Sequence, residues 1–186
     1  MEVALTWNLV LLSGFIMLFA YSFLLGQNST IKLILSIYIA IMTADGIAKI
    51  IKDFVIAPSP GFRELIGGHD EQVYAWTRII LFLAAVVVFV VKSGFHVALE
   101  KHDHWAARFG IHALFSALSA TLFISTILIY VSGNSFVEGM LYAKDIQIYQ
   151  QSFLAQILID YYQFWFSLPA MAFLANSFLF GNETKA

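Results

Sequence analysis

From Ile31 to Asp53 the chain is apolar for long enough to cross a lipid bilayer, yet this run carries Asp45 and Lys49. At about 1.5 Å per residue, Asp45 lies roughly 21 Å along a hydrocarbon core about 30 Å thick, and Lys49 lies about 27 Å along it. An acid followed by a base at i, i+4 lets the two side chains meet, so the sequence predicts an intramembrane Asp45–Lys49 pair. Ionisable groups in lipid mark functional positions by default, although a lysine near the boundary also reaches water along its own stem and takes its partner with it. A chain organised around such a segment is an integral membrane protein.

Composition extends that conclusion to the whole chain. Apolar residues make up 60% of 186 and charged residues 12%, with a mean hydropathy of +0.81; soluble domains average roughly 45–50% and about 25%. This length is expected to hold four or five spans with short connections and no separate soluble domain. A formal charge of −2 and the lack of any basic run exclude nucleic acid as a partner. With no cysteine, disulfides, thiol catalysis and cysteine-ligated metals are excluded as well.

Hydrophobic runs place the spans at about residues 5–25, 31–53, 74–96 and 109–131, which predicts an all-α membrane protein of four transmembrane helices. Met1–Thr6 offers Glu2 and no basic residue, so the first run is expected to stay in the mature chain. Gly26 ends the first helix and Asn28 or Ser29 caps the second, giving a tight antiparallel hairpin. The break Ala57-Pro58-Ser59-Pro60-Gly61 opens a longer loop, with a short interfacial helix after Ser59. Trp76 and Arg78 mark the entry to the third span. On the fourth, Gly110, Ala113, Ala117 and Thr121 recur on one face with Ser116, Ser119 and Ser125 nearby. Small residues let backbones approach and hydroxyls bridge helices, so this face is expected to pack on another span or on a second copy.

Beyond Ser132-Gly133-Asn134, a hydrophobic or amphipathic helix is predicted over about residues 150–180, bent or ended by Pro169. Ser152, Gln156, Asp160, Gln163 and Ser167 draw one polar stripe along it. Asp160 therefore joins Asp45 and Lys49 as a candidate functional charge. The densest polar cluster is the third connection, where His96, His102, His104 and His112 accompany Glu100, Lys101 and Asp103. Neutral imidazoles suit zinc, copper or iron. Their spacing matches no usual metal-site pattern, and His96 and His112 flank one loop where a bis-histidine haem needs facing spans. No metal, cofactor or catalytic residue is therefore assigned.

The layout carries a resemblance. A short first hairpin (Ala20-Tyr-Ser-Phe-Leu-Leu-Gly-Gln, then a helix ending Asp45-Gly-Ile-Ala-Lys49), a longer second loop and a third–fourth hairpin with Lys92-Ser-Gly94 and Arg108-Phe-Gly110 look like the bacterial colicin V production protein family. The similarity covers Leu5 to about Val131 and brings no catalytic motif. It implies a multi-pass protein of the bacterial inner membrane, tied to peptide export or envelope homeostasis. The leading expectation is thus a non-enzymatic membrane component that assists or scaffolds such a system, in contact with lipid and with a membrane-protein partner or further copies of itself. The alternative is a small channel or proton-coupled carrier using Asp45, Lys49 and Asp160. A third is a metal or haem protein built on the His96–His112 loop. Lys32, Lys92, Lys101 and Arg108 around the first and third connections are set against Lys49, Lys52, Arg63, Arg78 and Lys144 around the second and fourth. Because the former sit in short connections, the N-terminus is expected outside and Lys101 in the cytoplasm.

Overall fold

The computed structural model describes residues 6–56, 70–92, 105–136 and 147–180. It is all-α among these residues, with no strand element and four helices long and apolar enough to cross a membrane. They are α1 (Trp7–Leu25), α2 (Gln27–Ile51), α3 (Asp70–Lys92) and α4 (Trp105–Val131), followed by α5 (Gln147–Gln151), α6 (Phe153–Asp160) and α7 (Tyr162–Phe180). The short helix expected after Ser59, the loop histidines His96, His102 and His104, and Lys144-Asp145 lie outside the described residues.

Gly26 alone separates α1 from α2. Its φ of +85° belongs to a region that side chains disfavour, so glycine makes the reversal without strain. The second helix starts four residues before Ile31, and its N-cap is Gly26 itself; neither Asn28 nor Ser29 caps it. The hairpin is fastened instead by the Thr30 hydroxyl, which donates to the Ser22 carbonyl at 2.7 Å. At its other end, α2 runs on through a π-helical turn, Lys52–Ile56.

Water does not sort the residues of this bundle in the usual way. Ser22 is the buried residue of α1, while Leu12, Ile16, Met17 and Leu24 on the same helix are exposed. In lipid, apolar side chains gain little by leaving the acyl chains, and helices associate through close packing and hydroxyl bridges. Ser119 of α4 accordingly donates to the Ser22 hydroxyl at 2.8 Å, and Ser125 to the Leu158 carbonyl of α6 at 3.1 Å. The core proper lies between α2, α3 and α4. Ile34, Ile37, Ile41 and Ala44 form the buried face of α2, against Ile79, Phe82 and Val86 of α3 and Phe115, Leu122 and Tyr130 of α4. Phe82 meets Phe123 and Tyr130 at ring separations of 5.5 and 5.8 Å, a range in which aromatic pairs attract.

The C-terminal segment is interrupted, and the interruptions do not fall at Pro169. The polar stripe is divided at Ser152, which caps α6 by accepting from the Ala155 N–H, and at Tyr161, where the backbone leaves helical geometry. Pro169 sits inside α7, fully buried, and the helix continues to Phe180. Such a proline is tolerated where neighbouring helices close around the lost hydrogen bond. Tyr38 of α2 anchors α7 by donating to the Phe166 carbonyl, with the two rings edge to face.

The antiparallel spans put the N-terminus of α1, the end of α2, the start of α3 and the end of α4 together. The α1–α2 hairpin, Lys92 and the start of α4 lie at the opposite end. The N-terminus-outside orientation expected from the lysine and arginine distribution is tested with single cysteines: those at Ser29 and Asp103 should resist an impermeant thiol reagent added from outside, and one at Asp70 should react. Labelling at Asp103 with protection at Asp70 would reverse this orientation.

Candidate functional site

Asp45 is buried, and its partner is Arg78 of α3, with Nε 3.6 Å from Oδ1 and both side chains nearly sealed from solvent. This replaces the pairing expected with Lys49, which is exposed and makes no ion pair with Asp45. The reason lies in helix geometry. Four residues advance the helical wheel by about 400°, so Lys49 stands some 40° beyond Asp45. Asp45 sits at the edge of the buried face set by Ile41, Ala44 and Ala48, and that rotation carries Lys49 over the edge. Arg78 reaches Asp45 from the other side of the α2–α3 hairpin, at matching depth.

The turn after α4 completes the site. Asn134 N–H bonds to the Ile129 carbonyl and Gly133 N–H to the Tyr130 carbonyl, the paired closure of a helix end that requires a left-handed residue. Gly133 supplies it, with a φ of +73°. The closure aims the carbonyls of Gly133 and Asn134 at Arg78, whose Nη1 donates to them at 3.3 and 3.1 Å. Ser135 then donates to Asp45 Oδ2 at 2.9 Å. The turn is itself braced, since Asn134 Nδ2 donates to Ser132 Oγ at 2.8 Å. Five guanidinium N–H donors in a planar fork suit this task, serving an anion and two carbonyls together, where lysine offers only a compact point charge.

Tyr74 closes the site from α3. The Arg78 guanidinium lies over its ring at 3.9 Å from the centroid, and Lys52, from the π turn, stands over the same ring at 4.7 Å. Cation–π attraction strengthens when the partners are desolvated, as they are at Arg78. Tyr130 donates to the Ile41 carbonyl at 3.3 Å, one turn before Asp45. Trp76, exposed beside the site, fits the aromatic belt of a membrane boundary. Charges of opposite sign thus cancel in a dry site and draw α2, α3 and the α4 turn together.

The other candidate residues do not join this site. Asp160 is exposed at the end of α6 and accepts from the Tyr149 hydroxyl at 3.0 and 3.1 Å. That hydrogen bond pushes the Tyr149 phenol above its ordinary pKa, with slight burial and the carboxylate's charge acting the same way. Gly110 is exposed, and a Cβ there would meet nothing within 4 Å; Ala113, Ala117 and Thr121 are half-buried. Close packing on α4 falls instead on the neighbouring Ser116, Ser119 and Ala120. His112 is half-buried with Nε2 2.7 Å from the Phe23 carbonyl and its ring 4.5 Å from the Phe23 ring. Among the described residues, no three His, Asp or Glu side chains gather as a metal site.

Sequence reasoning missed Arg78, Ser135, Tyr74 and Tyr130 as members of the site. A usable signal was present: Arg78, four residues into the third span, enters from the same end of the bundle toward which Asp45, eight residues before the end of the second, lies. No family model, curated protein or solved structure matches the chain.

Proposed function

We propose that this protein is a non-enzymatic membrane component that scaffolds or assists a larger assembly in a bacterial inner membrane. The observation that carries this reading is the use made of its intramembrane charges. A conduit needs ionisable groups facing a shared wet path. Here Asp45 is 4% exposed, held between Arg78 and Ser135, and Arg78 is committed to two backbone carbonyls. Asp160 lies apart from them on the outside of α6. Charges arranged this way serve cohesion, and the lipid-facing sides of α1 and α3 remain for a neighbouring membrane protein. The resemblance to the colicin V production family supplies the direction toward export or envelope homeostasis.

Purified protein in sealed liposomes is expected to show no proton or ion flux above empty vesicles. Flux that disappears with Asp45→Asn or Asp160→Asn would replace the scaffold by a carrier. Cross-linking in native membranes is expected to return a defined membrane-protein partner, and its identity would name the system served.

A further inference from the structure

A second feature lies at the opposite end of the bundle. Both α1 and α3 pack on α2 and α4, and between them runs a cleft of about 290 Å³, open on one side. An apolar cavity of ~150 Å³ is enough to take a benzene ring, so this cleft has room for a longer stretch of hydrocarbon. Its walls are Leu18 of α1, Leu33 of α2, Val86 and Val90 of α3 and Phe123 of α4. Apart from Tyr21 at the mouth, its polar side chains are Ser22 and Ser119, whose hydroxyls are bonded to each other, so the walls give water little to bind.

The mouth faces lipid. Val87 and Val91, both lining residues, are 61% and 68% exposed, and Tyr21 on the facing wall is 54% exposed. The cleft is thus continuous with the lipid-contacting surface of the spans. Charge sets the occupant further. Lys32 adjoins the lining residue Leu33, and Lys92 follows the lining residue Val91 where α3 ends. With exposed Arg108 at the start of α4, this end of the four spans carries three basic residues and no acidic one among the described residues. Lysines at a span's end extend their ammonium groups toward the headgroup layer.

We infer that the cleft between α1 and α3 is a binding site for an anionic phospholipid, one acyl chain lying against Leu18, Val90 and Phe123 and the headgroup held by Lys32 and Lys92. The inference stands whether the protein scaffolds or conducts. It is tested with the full chain reconstituted in phosphatidylcholine bilayers containing phosphatidylglycerol or phosphatidylcholine spin-labelled near the chain end. Wild type is expected to immobilise the phosphatidylglycerol probe in preference, by about fivefold for each lysine engaged. Lys32→Gln with Lys92→Gln should reduce that preference to the phosphatidylcholine level. Val87→Trp, which fills the cleft from its exposed side, should abolish the excess immobilised component with both lysines intact; Val91→Trp serves the same purpose if Val87→Trp does not fold. Equal retention of the two probes by wild type overturns the proposal, as does a preference that survives the double lysine variant or the filled cleft.

Discussion

Arg78→Met is expected to destabilise the helix bundle by about 3–5 kcal/mol, because it leaves the Asp45 carboxylate buried without its counter-charge. Asp45→Leu should cost a comparable amount by stranding the guanidinium between the Gly133 and Asn134 carbonyls. The double variant should recover much of the loss, since apolar side chains replacing both ions leave no charge in the dry site. Reversible unfolding in detergent, measured for the two single variants and the double, gives the coupling directly. Strictly additive losses would mean that the two groups reach water independently. Lys49→Gln belongs in the same series: its side chain is exposed and outside the ion pair, and its effect should stay within about 0.5 kcal/mol. A loss at Lys49 as large as that at Arg78 would restore the i, i+4 pairing.

Overpacking should expose the difference between the true helix-packing faces and the one that small residues suggested. Ala40 and Ala44 of α2 are fully buried in the core with Ile79 and Phe82 of α3. Ala44→Leu, or Ala40→Leu, is expected to cost about 1–3 kcal/mol by driving neighbours off their rotamers. Ala113→Leu and Ala117→Leu, on the half-buried side of α4, should be milder. Gly110→Ala should be nearly silent or slightly stabilising, since open space surrounds the added methyl group and alanine favours a helix. These effects are read as midpoint shifts in detergent unfolding. If Ala113→Leu proves costlier than Ala44→Leu while the protein remains monomeric, the assignment of the packing core is wrong. If its cost appears only in the native membrane, that face meets a partner, as the scaffold reading requires.

Much of the fold was legible in the chain because a bilayer asks for length and apolarity, and both are properties of a single segment. The four spans follow from runs of about twenty apolar residues, and the first reversal from Gly26. Hydroxyl bridging by the serines of α4 was legible too, since buried hydroxyls in lipid seek partners on a neighbouring helix. That the C-terminal segment is not one unbroken helix was legible, but not where it breaks. Proline marks a lost hydrogen bond, whereas the chain breaks at Ser152 and Tyr161, where capping and packing against α4 decide.

The charged site divides along the same line. That Asp45 is a costly residue in lipid follows from the sequence, because burial in a low dielectric penalises any unpaired carboxylate. Which cation answers it does not follow. Lys49 is nearest along the helix, and local spacing favours it. Arg78 prevails because the α2–α3 hairpin sets it at the same depth on the buried side, while the turn at Gly133 brings two carbonyls to its guanidinium and Ser135 to the Asp45 carboxylate. Sequence by itself determined which segments enter the membrane and which charge they must neutralise. The tertiary structure alone decided how, since helix rotation and depth are set by contacts between segments distant along the chain.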